Sequence, residues 1–318
     1  MIHLRLIVPR AVRAAVVAFL RADPRVTHVV VIPDAGVQPD GDLVLVDVAR
    51  EAVTDVLEHL RDLGLDDRGA VAMETVDAAP SVHAVAAEAA APGSPDDGIV
   101  WDLVAERAEA DARSSWSFYA FLCLATMIAS VAVVTDSPVL VVGAMVVGPE
   151  FGPVVALAYG IVMRRARLVR DALSLLGLGF AAAIAVTAVA ALVVRAAGWV
   201  EPADLAAPRP LTAFIWRPDE WSVVVALLAG FAGVLSLTAG RSNALVGVFI
   251  SVTTVPAAGN LALAVALWVP EEIGGSALQL AVNLVGLTAA GTLLLAVQRA
   301  LTRRTAARPQ PATARAAP

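Results

Sequence analysis

The chain contains no lysine: all 23 of its basic residues are arginine. We read this as a codon-composition bias and take no chemistry from it. There is one cysteine in 318 residues, Cys123, set in an apolar stretch, which excludes a disulfide frame and a thiolate metal cluster. The four histidines, His3, His28, His59 and His83, all precede the most apolar part of the chain and lack ligand spacing. No Walker A loop, HExxH or G-x-S-x-G occurs, so enzyme chemistry, a metal and a cofactor are not expected. His3, Arg5, Arg10 and Arg13 interrupt the first apolar stretch. No long apolar region follows them, so a signal peptide is not expected.

What is present is hydrophobic. Apolar residues make up 58% of the chain and mean hydropathy is +0.76, the composition of a protein about half embedded in lipid. Charge is uneven. Residues 1–115 hold 20 acids and 10 Arg, whereas residues 116–318 hold 9 acids and 13 Arg. The acidic first part argues against nucleic acid, which needs a basic face.

Residues 1–78 read as a small α+β domain. Ile2–Val8, Val26–Ile32, Leu43–Val48 and Ala70–Val76 alternate or are β-branched. Arg10–Ala22 places Ala11, Ala14, Ala15, Ala18 and Phe19 on one helical face, and Glu51–Leu63 turns Val53, Val56, Leu57 and Leu60 inward before Gly64. Pro33–Gly36 and Pro39–Gly41 are turn chemistry. The order βαββαβ is a ferredoxin-like, split βαβ arrangement. Residues 79–98, rich in Ala, Pro, Gly, Ser and Asp, read as a flexible linker. Residues 99–115 read as an amphipathic helix reaching the membrane surface at Trp116.

Six apolar spans follow, at about 116–134, 138–162, 172–196, 221–238, 244–268 and 276–298. Arg164, Arg165, Arg167 and Arg170 assign the 163–171 loop to the cytoplasm. The 135–137 turn and the 197–220 loop are then external, and both termini are cytoplasmic, with residues 299–318 a disordered basic tail. The expected location is the cell membrane.

The second span, 138–162, is 25 apolar residues broken at Gly148-Pro149-Glu150-Phe151-Gly152-Pro153. Two prolines remove two helix N–H donors, and their rings clash with the preceding turn. Lipid cannot satisfy the freed carbonyls. Glu150 falls near the midplane, where an acid costs on the order of 3 kcal/mol or more and so marks a site. The fifth span is interrupted in the same place by Ser251, Thr253, Thr254, Pro256, Gly259 and Asn260. A shift of 104 residues superposes Leu124, Ala125, Val142 and Gly143 on Leu228, Ala229, Val246 and Gly247. Three spans per half make this a 3+3 inverted repeat, in which paired broken segments point to a transporter's midplane site.

GAMVVGPEFGPVVAL (143–157) and GVLSLTAGRSNALVGVFISVTTVPAAGNLALA (233–264) resemble the two signatures of the domain of unknown function 389 family of bacterial hydrophobic membrane proteins. The likeness covers roughly residues 100–298. It implies a multi-span membrane protein and supplies no substrate or reaction. Glu150 stands where the resemblance implies an apolar residue, and Val255-Pro256-Ala257 replaces a double proline.

The candidate substrate- or ion-binding set is Glu150, Pro149, Gly148, Gly152, Ser251, Thr253, Thr254 and Asn260. The bland alternatives are specific. Glu150 would cap the following half-helix; the hydroxyls and amide would only re-satisfy backbone around Pro256. Gln279 and Asn283 read as interhelical hydrogen bonds, and Gly143, Gly148, Gly152 and Gly247 as close-packing and hinge positions. Asp136 and Arg241 read as turn caps on opposite faces. The leading expectation is a secondary transporter or channel for a small solute or ion. The alternative is a membrane-anchored sensor or scaffold signalling through the N-terminal domain. Expected partners are that solute or ion and membrane lipid, which the Arg164–Arg170 cluster suits if anionic. A homo-oligomer is left open.

Overall fold

The computed structural model describes residues 1–91, 93, 98–239 and 252–306. It divides into two compact units, Met1–Val104 and the chain from Ala105 onward.

In the first unit the strands β1 (Ile2–Val8), β2 (Val26–Val37), β3 (Asp40–Val48) and β4 (Ala70–Thr75) form one antiparallel sheet in the order β2-β3-β1-β4. Alternation puts Ile2, Leu4, Leu6 and Val8 of β1 on one face, all fully buried. Helices α1 (Arg13–Ala22) and α2 (Val53–Asp62) cover that face through Val16, Leu20, Val53, Val56, Leu57 and Leu60. Each such side chain contributes roughly 1.5–3 kcal/mol when fully buried. A short α3 (Leu65–Arg68) follows Gly64, whose φ of 76° is the left-handed conformation that ends α2.

Three expectations are corrected here. The inward face of α1 carries Val16 and Leu20, not the alanines: Ala11, Ala14, Ala15 and Ala18 are not buried. Burial follows apolar area, and alanine has little to bury. Residues 33–36 do not turn the chain; β2 continues through them with a register shift between Ile32 and Gly36, a local bulge. Within the 79–98 stretch, expected to be a flexible linker, Val82–Ala90 forms helix α4. The Ser81 hydroxyl caps it by accepting from Ala84 N at 3.0 Å, and its alanines are the strongest helix formers.

The unit boundary falls within α5 (Trp101–Asp111). The second unit is helical: α6 (Trp116–Val134), α7 (Pro138–Val147), α8 (Phe151–Val162), α9 (Ala166–Ala196), α10 (Pro202–Ala206), α11 (Glu220–Thr238), α12 (Thr254–Leu267) and α13 (Pro270–Ala306). Among the described residues α6, α9, α11 and α13 are long and apolar enough to cross a membrane. The pair α7–α8, bent by 54°, makes a fifth span if taken together. Helix α12 is apolar but has 14 residues. The part of the expected fifth span that holds Arg241, Gly247 and Ser251 lies outside the described residues, as do the last twelve residues of the tail. The start of that tail, expected to be disordered from 299, continues α13 as helix to Ala306.

Element boundaries recur. Helix α11 begins and ends 104 residues after α6, α13 begins 104 residues after α9, and α12 matches α8 to within one residue at each end. The packing recurs too: α9 packs on α6 and α8, and α13 on α11 and α12. Small residues permit the crossings; a side chain at Gly259 would meet Ala129 Cβ at 2.8 Å, and one at Gly230 the Leu287 carbonyl at 2.7 Å. The bundle has two distinct ends. At one, Asp136 accepts from the Thr212 hydroxyl (2.7 Å) and Leu211 N (3.3 Å). At the other, Arg299 donates to the Val162 carbonyl (2.7 Å), and Arg165 pairs with Glu109.

Candidate functional site

The break between α7 and α8 is local chemistry. Gly148 N–H still closes onto the Ala144 carbonyl at 3.2 Å, but Pro149 has no N–H for Met145, and the helix axis turns. Glu150 occupies the N-cap position of α8, yet its side chain makes no capping hydrogen bond. It lies buried instead, with Oε1 accepting from the hydroxyl of Thr254, the first residue of α12. The capping alternative is therefore not the arrangement found. Oε2 is also buried and has no hydrogen-bond partner among the described residues. It rests against Gly148: a Cβ there would collide with Oε2 and meet Val255 Cγ2 at 2.7 Å, so only glycine lets the carboxyl fold back on the break.

Thr253, one residue earlier, accepts from Gln279 Nε2 (3.0 Å) and Asn283 Nδ2 (2.9 Å) of α13. The interhelical hydrogen bonds expected of these two amides are thus made, and they end on a residue of the candidate set. Gln279 Oε1 is buried without a partner among the described residues.

Asn260 belongs to a second cluster. Six residues along α12 from Thr254, about 9 Å at 1.5 Å per residue, it accepts from Arg209 Nη1 (3.1 Å) and donates to Glu272 Oε2 (2.9 Å) and Ser276 Oγ (2.8 Å). Arg209 also pairs directly with Glu272, each side chain 5% exposed. Arg209 comes from the 197–219 loop, which enters the bundle: Leu205 and Ile215 are buried, and the Trp216 carbonyl packs where Gly275 has no side chain. The space beside Gly152 is filled by Asp111, whose carboxyl a side chain there would meet at 2.9 Å. Ser251 lies outside the described residues, and Pro149 contributes through its missing donor.

Reading the sequence missed Arg209, which it left in the external 197–220 loop, and Glu272, which it did not name among the candidate site residues. The signal was the loop's own composition: AAPRPLTAFIWRP around Arg209 is too apolar for a solvated segment. A second signal was the spacing of Glu272, Ser276, Gln279 and Asn283 at i, i+4, i+7 and i+11, one face of α13, all four buried. No group of three or more His, Cys, Asp or Glu suited to a metal occurs among the described residues.

The family model described as Domain of unknown function (DUF389) matches residues 145–289, from the end of α7 into α13. Over these residues the chain is similar to that family. The match takes in the α7–α8 break, Arg209, the start of α12 and Glu272. A relative, the uncharacterized protein MJ0678 of Methanocaldococcus jannaschii, is 25% identical over 166 residues, 52% of this chain and 49% of the relative. The chain thus spans about half the length of the curated relative it matches. No solved structure matches.

Proposed function

We propose that this DUF389-like protein is a six-span protein of the cell membrane that moves a small solute or ion through a site at its two broken spans, as a secondary transporter or channel. The observation that carries the reading is the bond between Glu150 and Thr254. These residues are 104 apart, the same offset that relates α6 to α11 and α9 to α13. Equivalent residues of two inverted halves touch each other only on the axis between them, and that axis is where transporters of this kind bind. The recurrent packing supports the 3+3 repeat. An intramembrane acid with an oxygen unpartnered among the described residues supports a ligand there, since a purely structural acid would be fully hydrogen-bonded.

The two ends of the bundle are consistent with both termini lying in the cytoplasm, the end with Arg165 and Arg299 being the arginine-rich one. For the first unit we read the order β2-β3-β1-β4 as the split βαβ, ferredoxin-like arrangement.

The test is flux. Proteoliposomes carrying the full chain are loaded against a panel of labelled amino acids, sugars, carboxylates and inorganic ions. We expect uptake of at least one class, lost in Glu150→Gln. Uptake indifferent to that substitution removes the site, and no uptake of any class removes the transport reading. Orientation is tested in a Cys123→Ala background: Asp204→Cys should label from outside and Arg167→Cys only from inside.

A further inference from the structure

The chemistry of the break narrows what it can hold. The buried side-chain atoms left without partners there are both acceptors. Glu150 Oε2 and Gln279 Oε1 are buried without partners among the described residues, and they belong to side chains bonded to the adjacent residues Thr254 and Thr253. Helix α7 adds more acceptors. A helix leaves its last carbonyls without intrahelical donors, and Pro149 cannot supply one. Oε2 folds back against Gly148, the C-cap of α7. Half-helix C-terminal carbonyls beside a carboxylate are the arrangement that coordinates small cations in broken-helix transporters.

The charge count agrees. Arg209 and Glu272 neutralise each other in the second cluster, while among the described residues no basic side chain is bonded to Glu150. A single carboxylate with neutral oxygens suits one positive charge; a divalent ion takes more carboxylate ligands. The polar face of α13 also leads to the break. From Glu272 to Asn283 it runs eleven residues, about 16 Å or half a bilayer.

We propose that the oxygens at the α7–α8 break, with Glu150 Oε2 as the charged member, bind a monovalent cation: a proton or an alkali ion. The inference rests on the reading of the break as the transport site and names its ligand class.

The test uses the full chain purified in detergent. Thermal unfolding is followed in choline, sodium and potassium chloride at one ionic strength, from pH 5 to 9, for wild type and Glu150→Gln. An alkali ion raises the wild-type Tm saturably by several degrees and leaves the variant unmoved. A proton gives no alkali response, but the Tm difference between wild type and variant changes with pH. Identical responses of the two proteins to every salt and pH overturn the proposal. Should Glu150→Gln fail to fold, Thr254→Val replaces it, and an unchanged salt and pH response then overturns the proposal. Solute flux that dies with Glu150→Gln yet ignores cations and pH sinks this inference alone. Cation binding without flux of any solute sinks the transport reading alone.

Discussion

The two buried polar clusters of the helical unit differ in how completely they satisfy themselves. Around Asn260, a cation, an anion, an amide and a hydroxyl close on one another, leaving Arg209 Nε as the one buried side-chain atom of that group without a partner among the described residues. Around Glu150, a lone carboxylate has, among the described residues, one hydrogen bond and one oxygen without a partner. The first is a charge-balanced lock tying the 197–219 loop to α12 and α13. The second is left incomplete at a kink that the chain maintains with two prolines. Folding alone rewards the first arrangement and penalises the second.

The comparison breaks hardest at the lock. Arg209→Ala strands Glu272 in a buried site, for which about 3–5 kcal/mol is expected. The loss should appear as a large fall in Tm and new proteolysis in the 197–219 loop. The double variant Arg209→Met/Glu272→Leu should recover most of it, because apolar replacements strand no charge. Recovery no better than the single variant would show that the pair does more than hold the loop.

Gly148→Ala is the next largest. Its Cβ meets Glu150 Oε2 and Val255, and overpacking costs about 1–3 kcal/mol. A Tm equal to wild type would mean that the carboxyl does not rest where the structure puts it.

Thr254→Val removes the donor to Glu150 Oε1 and leaves a second bare oxygen, for a loss of about 1–3 kcal/mol. In the Glu150→Gln background the same change should cost less, because no charge is left unpaired. Equal costs in a double-mutant cycle would separate the two residues.

The smallest effect compares these sites with a satisfied acid outside the bundle. In the first unit Asp42 is buried, accepting from the Asp34 N–H (2.9 Å) and Arg13 (3.0 Å). The Asp34 bond, then Arg13, hold its carboxyl below the usual carboxylate range against the upward push of burial. A depressed pKa contributes stability that is present above the unfolded value, about 3.9, and is lost as pH falls through the folded value. Protection of β2 and β3 amides against hydrogen exchange, relative to their intrinsic rates, should therefore fall below about pH 4, and Asp42→Asn should flatten that dependence. An unchanged profile in the variant would assign the acid sensitivity elsewhere.

Much of this was legible residue by residue. Trp116–Val134 is a helix over the same residues that the apolar run marks, because a long apolar segment with no internal breaker has one favourable state in lipid. The bend at 148–150 could be placed because Pro149 and Pro153 carry their effect in their own covalent structure. The inward face of α2 was readable from a strong 3.6-residue period, whereas that of α1 was not. Its alanines supply a periodic pattern with little area behind it. The lock was missed for a different reason: Arg209 and Glu272 are 63 residues apart, and each alone looks like an ordinary external charge.

By itself the sequence determined the long apolar helices, the position of the kink and the presence of an acid in it, since hydrophobic transfer and proline geometry act within a few residues of their source. Only the tertiary structure decided which polar groups share the interior. Thr254 reaches Glu150 across 104 residues, Gln279 and Asn283 converge on Thr253, and Arg209 is swallowed with its partner. Those outcomes depend on which helices pack together. A buried donor or acceptor takes whatever partner the packing brings within hydrogen-bonding distance, and no local pattern along the chain encodes that choice.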